Sequence, residues 1–376
     1  MYQESDIVRI ARRDNNPKRN FLVINRRQGK HVPASPKEAV EMFRDLAQKV
    51  RTAYQEEKLL CVGFAETATA IGATLAVELH TLYMQTTREK IPGVSYLYFS
   101  EAHSHATEQK MIREDVECVI DKVDRIVFVE DELTTGNTIL NIVDILENKY
   151  PGKVKFAVAS LLNGMDKQSL AVYQMRSIEV HYLLKVEHAQ YAELAETYKG
   201  DGDYYKPEVM KVPIDCRYHK IAGWVNARRL VCASEYEAAC ERLWKGIKEQ
   251  VAWLGDGVMR LDKRRRSILV LGTEEFMYPA LHIAEKLEKT GVYTMFHATT
   301  RSPMIVSSEE NYPVHERYEL RSLYDRNRRT FVYNLGEYDH VLIITDSQNE
   351  DSYGLQTLLH ALAISGNTNI DVIRWY

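Results

Sequence analysis

The chain has 376 residues, 45% of them hydrophobic and 27% charged, with a formal net charge of -4. That is the composition of an ordinary folded protein with room for two domains, and it excludes long disordered stretches and a broad electrostatic footprint for nucleic acid, although Lys263-Arg264-Arg265-Arg266 is a local basic run. No apolar segment reaches membrane-spanning length, the amino terminus lacks a signal-peptide pattern, and the five cysteines, Cys61, Cys118, Cys216, Cys232 and Cys240, show no paired spacing, so the expected location is the cytoplasm, with no membrane partner.

Asn20 to Pro33 predicts a strand or hairpin, and Ser35-Pro36-Lys37-Glu38 is a capping box with proline at the first helical position, opening a helix to about Tyr54. Between them Gly29, Lys30 and His31 form a compact basic turn, a candidate hood over a bound acceptor. Leu59 to Phe64 reads as a short buried strand. Ala65-Glu66-Thr67-Ala68-Thr69 then begins a helix of small residues, which let a backbone approach a ligand closely. Tyr96-Leu97-Tyr98-Phe99 is another strand, and Ser100 to Lys110 is a polar stretch with little to bury, carrying His103, His105 and Lys110, with Arg113 just beyond. His-x-His invites a zinc reading, but no cysteine or further histidine stands at ligand spacing.

The most informative stretch is Val127 to Thr138. An apolar strand runs into Glu130 and Asp131, then into Thr134-Thr135-Gly136-Asn137-Thr138. Carboxylates accept hydrogen bonds from paired sugar hydroxyls, while backbone amides and hydroxyls at a helix start bind a phosphate dianion. Ile139, Leu140, Ile142, Val143, Ile145 and Leu146 recur near helical spacing, which places Thr135 to Thr138 at a helix amino terminus, where the macrodipole favours an anion. The pattern reads as a cradle for a ribose phosphate.

Val154 to Leu162 predicts a further strand, followed by Asn163-Gly164-Met165-Asp166. Gly200, Asp201, Gly202, Asp203, Pro207 and Pro213 break regular structure and give expected domains at 1–210, with the hood over about 1–56, and at 233–376, joined by a linker at 211–232. Beyond it, Leu269 to Gly272 is a strand opening onto Thr273-Glu274-Glu275, and His297 to Pro303 contains Thr300-Arg301-Ser302-Pro303. Arg301 and Ser302 form a candidate second anion site, because a guanidinium binds phosphate or carboxylate bidentately. Three blocks echo each other: Gly63 to Thr67 with Gly272 to Glu275, Tyr96 to Phe99 with Tyr293 to Phe296, and Arg125 to Asp131 with Val341 to Asp346. The separation from Gly63 to Glu130 is 67 residues and that from Gly272 to Thr345 is 73, which suggests a degenerate internal repeat. In the second copy Ser347 to Asp351 stand where the first has its threonine cradle.

The strand, the acidic pair and the Thr-Thr-Gly turn resemble the type I phosphoribosyltransferases, whose corresponding turn holds the 5-phosphate of phosphoribosyl pyrophosphate (PRPP). Thr300-Arg301-Ser302-Pro303 resembles the namesake of the TRSP domain, found fused behind such a domain in bacterial tellurium-resistance and stress gene clusters. The resemblance implies a Rossmann-like α/β domain with a parallel sheet, followed by a second α/β domain. It implies Mg²⁺ carried by PRPP near Glu130 and Asp131, pyrophosphate received by Ala65 to Thr69, and a loop with His103, His105, Lys110 and Arg113 closing over the reaction. Asn163 and Asp166 stand where the family often contacts the accepting base, and Thr134 resembles the orotate branch rather than the purine branch. The expected product is a ribosylated or nucleotide-like metabolite made from a small-molecule acceptor. A PRPP- or nucleotide-sensing protein without turnover is the alternative, PRPP synthesis is disfavoured by the lack of an ATP-site signature, and homodimerisation stays open.

Overall fold

A computed structural model describes residues 2–14, 16, 19–99, 109–206, 214–254, 266–349 and 353–376. The elements begin with α1 (Glu4–Ile7), β1 (Val8–Arg12), β2 (Phe21–Asn25), α2 (Pro36–Ala53), β3 (Leu59–Gly63), α3 (Thr69–Leu79) and β4 (Leu82–Gln85). They continue through β5 (Tyr96–Phe99), β6 (Gln109–Ile112), α4 (Arg113–Val119), β7 (Arg125–Leu133), α5 (Asn137–Lys149), β8 (Lys155–Asn163), α6 (Lys167–Met175) and β9 (Glu179–Lys185). Then come α7 (Tyr191–Thr197), β10 (Asp203–Tyr205), β11 (Arg217–Ile221), β12 (Val231–Cys232), α8 (Ala233–Gln250), β13 (Ser267–Gly272), α9 (Tyr278–Glu288) and β14 (Tyr293–Ala298). The last are β15 (Glu316–Arg321), β16 (Arg329–Tyr333), β17 (His340–Thr345), α10 (Tyr353–Ile364) and β18 (Ile370–Trp375).

Two compact units form, and they do not follow chain order. The first comprises Glu41–Glu187 with Val225–Ala238, and the second Met1–Val40, His188–Trp224 and Ala239–Tyr376. The expected hood, about 1–56, is therefore divided, with residues 1–40 in the second unit and 41–56 in the first. The reason is apolar burial: Ala11, Leu22, Ile24 and Val32 share one cluster with Met304, Val306, Tyr312, Val314, Phe331 and Tyr333. The stretch expected as a linker is also structured in part, since β11 pairs in parallel with β18 and β12 pairs antiparallel with β4. Such pairings are non-local and leave no local composition signal.

In the first unit the sheet order is β12-β4-β3-β7-β8-β9, with the five strands from β4 to β9 parallel. In the second it is β11-β18-β17-β13-β14, all parallel. A parallel sheet covered by helices buries both faces, which is why every residue of β3 and Ile268–Gly272 of β13 is inaccessible. The order β4-β3-β7-β8 matches β14-β13-β17-β18, and each unit inserts an antiparallel hairpin, β5–β6 or β15–β16, before its third strand. Gly63 pairs with Gln85 and Val129, as Gly272 pairs with Ala298 and Ile344. The counterpart of β14 is thus β4, not the Tyr96–Phe99 strand chosen from the sequence. Aromatic likeness misled there, because β5 lies in a separate two-stranded hairpin.

In the second unit Asp371 anchors the sheet. Its carboxylate accepts both Arg217 Nε and Nη2, at 2.9 and 2.8 Å, His219 Nε2 at 2.7 Å and Trp253 Nε1 at 2.9 Å. Burial alone would raise its pKa, but these hydrogen bonds outweigh burial and hold it below the usual carboxylate range. A depressed carboxyl stabilises the fold above its unfolded pKa, near 3.9, and that contribution disappears as pH falls through the folded value. Asp371→Ala is expected to cost about 3 kcal/mol at neutral pH, read as a lowered calorimetric melting temperature, and the gap to the parent should close on acidification.

Candidate active site

β7 delivers its acidic residues because Val127 to Val129 are fully buried in the sheet and the strand emerges at its carboxyl end, leaving Glu130, Asp131 and Glu132 half-buried. Thr134, Thr135 and Gly136 then turn the chain into α5. Gly136 has φ +74°, and a Cβ there would lie 2.4 Å from the Tyr173 hydroxyl, which donates to the Gly136 carbonyl at 2.7 Å. Only glycine fits that turn without strain. Thr135 Oγ1 accepts the Asn137 amide at 3.3 Å. Ile139, Ile142, Val143 and Leu146 face the core as expected, so Thr135 to Thr138 stand at the amino terminus of a 13-residue helix with their polar groups accessible.

The turn after β3 occupies 64–68. Ala65, Glu66, Ala68 and Thr69 are buried and Thr67 is half-buried; the Ala65–Glu66 peptide is cis. Close packing shapes this turn: a Cβ on Gly72 would lie 2.7 Å from Gly63 Cα, so α3 is pressed against β3 where only glycine permits it. Thr67 Oγ1 donates to Asp131 Oδ1 at 2.8 Å, which joins this turn to the acidic pair. The Ala65 amide donates to Thr86 Oγ1 at 2.8 Å, Thr86 Oγ1 donates to Gln109 Oε1 at 2.7 Å, and Gln109 Nε2 donates to the Ala65 carbonyl.

Electrostatics distinguish the two carboxyls from a surface pair. Burial, reinforced by the neighbouring charge of Asp131, raises the Glu130 pKa well above its ordinary value, against the opposing charge of Arg88. Burial likewise raises Asp131, against the hydrogen bond from Thr67. Thr86 and Arg88 went unnoticed in the sequence, because β4 has only four residues and no strong alternation. Their signal was nevertheless present: Thr86-Thr87-Arg88 follows β4 as Thr299-Thr300-Arg301 follows β14.

The other expected site residues distribute as follows. His103 and His105 lie outside the described residues. Lys110, expected in a loop, is the second residue of β6, buried with its Nζ 4.7 Å over the Tyr96 ring. Lys30 and His31 belong to the second unit and are buried, contrary to a basic turn facing an acceptor; Lys30 Nζ donates to the Glu274 and Thr299 carbonyls at 3.0 and 2.8 Å. Asn163 ends β8 fully buried, its Oδ1 accepting the Met165 amide at 3.0 Å and its Nδ2 lacking a partner among the described residues. Asp166 caps α6 by accepting the Ser169 amide at 2.7 Å, which is a structural task. Arg301 is bound to the carboxylates of Glu274 and Glu275, and Ser302 uses its backbone, accepting the Tyr333 hydroxyl at 2.8 Å.

Residues 7–193 match a family model described as phosphoribosyl transferase, and residues 239–362 match the TRSP domain, described as C-terminal to that domain. No curated protein matches the chain. Among solved structures the chain is similar to adenine phosphoribosyltransferase from Rhodothermus marinus, at 18% identity over 48% of this chain and 96% of that one, with a TM-score of 0.35. It is also similar to adenine phosphoribosyltransferase from Trypanosoma brucei in complex with AMP, pyrophosphate and ribose-5-phosphate, at 17% identity over 48% and 77%, with a TM-score of 0.35. A hypoxanthine phosphoribosyltransferase from Staphylococcus aureus matches at 17% identity over 43% and 79%, with a TM-score of 0.27.

Carboxyls with raised folded pKa values stabilise the chain fully only below their unfolded pKa, near 4, and that contribution is lost as pH rises through the folded values. Replacing them by neutral isosteres removes the penalty. Glu130→Gln with Asp131→Asn is expected to raise the melting temperature of the ligand-free protein at neutral pH by a few degrees, with the difference vanishing toward about pH 4. Scanning calorimetry across that pH range checks it, and an unchanged or lowered melting temperature at neutral pH contradicts it.

Proposed function

We propose, from the phosphoribosyl transferase match over residues 7–193 and the TRSP match over 239–362, that this chain transfers the 5-phosphoribosyl group of PRPP to a small-molecule acceptor, with release of pyrophosphate. The observation that carries the reading is the 2.8 Å bond between Thr67 and Asp131, which brings the turn after β3 and the acidic end of β7 into one site at the carboxyl edge of a parallel sheet.

Glu130 and Asp131 accept hydrogen bonds from the two ribose hydroxyls. Thr134 to Thr138 hold the 5-phosphate with hydroxyls and with the amides that α5 leaves unpaired at its amino terminus. The 65–69 turn offers its backbone to pyrophosphate, and Arg88 adds a positive charge on the same side as Glu130. The buried Asn163 Nδ2 is our candidate contact for the acceptor. Attack by an acceptor lone pair forms the new bond at C1 as the C1–oxygen bond breaks, its electron pair leaving on pyrophosphate and the acceptor's proton passing to solvent. No covalent side-chain nucleophile is required, and rate comes from positioning and charge stabilisation.

The donor set suits magnesium, because Glu130 and Asp131 are hard oxygen ligands. Among the described residues no group of three or more His, Cys, Asp or Glu could hold a metal, so the ion would be held through substrate oxygens beside that pair. When bound it neutralises charge on the departing pyrophosphate. No described helix is long and apolar enough to cross a membrane, and the proposal places the reaction in the cytoplasm. The resemblance of Thr300-Arg301-Ser302-Pro303 to the TRSP namesake is what supports setting the ribosylated or nucleotide-like product in tellurium resistance or stress.

Titration calorimetry of PRPP with Mg²⁺, followed by pyrophosphate release on adding a panel of bases and amines, tests this reading. Glu130→Ala with Asp131→Ala is expected to abolish PRPP binding without lowering the melting temperature; wild-type affinity in that variant overturns the assignment. Arg88→Ala should raise KM for PRPP about 10- to 100-fold, the loss of a charge-assisted hydrogen bond worth about 1.5–3 kcal/mol. Activity should fall on acidification at a pH above the usual carboxylate range, because a protonated carboxyl at Glu130 or Asp131 loses acceptor capacity.

A further inference from the structure

The second unit repeats three sets of hydrogen bonds of the first around the same edge of its sheet. The Ala65 amide donates to Thr86 Oγ1 at 2.8 Å, and the Glu274 amide to Thr299 Oγ1 at 3.0 Å. The Thr86 amide bonds the Gly63 carbonyl as the Thr299 amide bonds that of Gly272, at 3.0 and 3.1 Å. Thr87 exchanges backbone bonds with Lys110, and Thr300 with Phe331. Strand register then makes Asp346 the counterpart of Asp131, each two residues beyond the partner of its glycine, Ile344 or Val129. Arg301 is the counterpart of Arg88.

What differs is what fills the edge. In the first unit the residue after the strand glycine and its neighbour is Ala65; in the second it is Glu274, buried, with φ +50°. Its Oε2 receives Arg301 Nε and Arg328 Nη1, each at 2.8 Å, and its Oε1 receives the Ser322 hydroxyl. Tyr324 donates its hydroxyl to Asp346 Oδ1 at 2.7 Å and shares a 2.7 Å bond with Thr273 Oγ1. Ser322, Tyr324 and Arg328 all come from the segment joining β15 to β16.

We propose that the second unit is a duplicate phosphoribosyl site locked shut by its own side chains: the Glu274 carboxylate takes the place of a pyrophosphate anion between Arg301 and Arg328, and the Tyr324 hydroxyl takes the place of a ribose hydroxyl on Asp346. Its latent ligand class is the diphosphate anion. One chain therefore has one open site. The proposal depends on neither the acceptor nor turnover by the first unit.

The test titrates the full chain with inorganic pyrophosphate by calorimetry, before and after Glu274→Ala with Tyr324→Ala. The variant is expected to gain one equivalent of bound pyrophosphate per chain over the parent, and further Arg301→Ala should remove that gain. A variant that keeps the parent's circular dichroism yet gains no pyrophosphate overturns the proposal, as does a gain indifferent to Arg301. The unsubstituted chain gives an independent check should the variant fail to fold: two equivalents of PRPP per chain overturn the proposal, whereas one is expected. Absence of PRPP binding would defeat the transferase reading while leaving the locked second unit standing.

Discussion

A threonine hydroxyl holding one backbone amide organises both halves of this molecule. Thr86 receives the Ala65 amide, and Thr299 the Glu274 amide. Each threonine directly follows the strand beside the glycine-terminated one, so the bond fixes the direction in which the chain leaves Gly63 or Gly272. Glycine is needed there because the following turn folds back on it: a Cβ would lie 3.0 Å from the Ala68 carbonyl in the first unit and 2.8 Å from the Phe276 carbonyl in the second. A turn held so tightly presents backbone rather than side chains, which is the geometry a polyanion can use.

The units diverge in how they treat buried charge. In the first, Glu130 and Asp131 are desolvated side by side and oppose each other, with Arg88 and Thr67 as partial relief. In the second, the buried carboxylate of Glu274 has two guanidiniums and a serine hydroxyl, and Asp346 has a phenol. Uncompensated charge is a stability cost that a binding site bears for its ligand, whereas buried carboxylates partnered within the fold make a rigid interior with little left to offer. The contrast rests on particular residues: alanine at position 65 brings no charge to its turn, and glutamate at position 274 brings an anion.

The acidic pair, the glycine turn and the start of α5 were legible because they depend on local order: an apolar run, two carboxylates, a residue with positive φ and a helical repeat. Three strands of the 41–187 sheet, β3, β7 and β8, were legible for the same reason, being short apolar runs separated by helices, whereas β4 and β9 were not. Pairing over long sequence distances was not. Nothing near Lys30 announces that its ammonium will end on the carbonyls of Glu274 and Thr299, and nothing near Val231 announces a partner at Tyr83. Likewise Arg301 looked available to a ligand because arginine chemistry is indifferent to whether its carboxylate comes from outside or from Glu274. The repeat was visible in outline, but its register was misjudged where aromatic residues in a hairpin imitated those of a core strand.

That interleaving also limits what a linear domain boundary can mean in this chain. The phosphoribosyl transferase match ends at residue 193, yet the first unit also contains β12 from Val231–Cys232, which covers the edge of β4 and is accompanied by Tyr236 stacking on Tyr83. The same match begins at residue 7 and so includes β1 and β2, whose Ala11, Leu22 and Ile24 are buried against Met304, Val306 and Phe331 of the second unit. A fragment cut at the match would carry apolar side chains parted from their cluster and an unpaired strand edge. The second unit is in turn built from three stretches of chain, with its amino-terminal stretch bound into the core through Lys30. The first unit is therefore inserted in two stretches, Glu41–Glu187 and Val225–Ala238, so a fragment that keeps the strand bearing Glu130 and Asp131 with its sheet edge covered has to carry both.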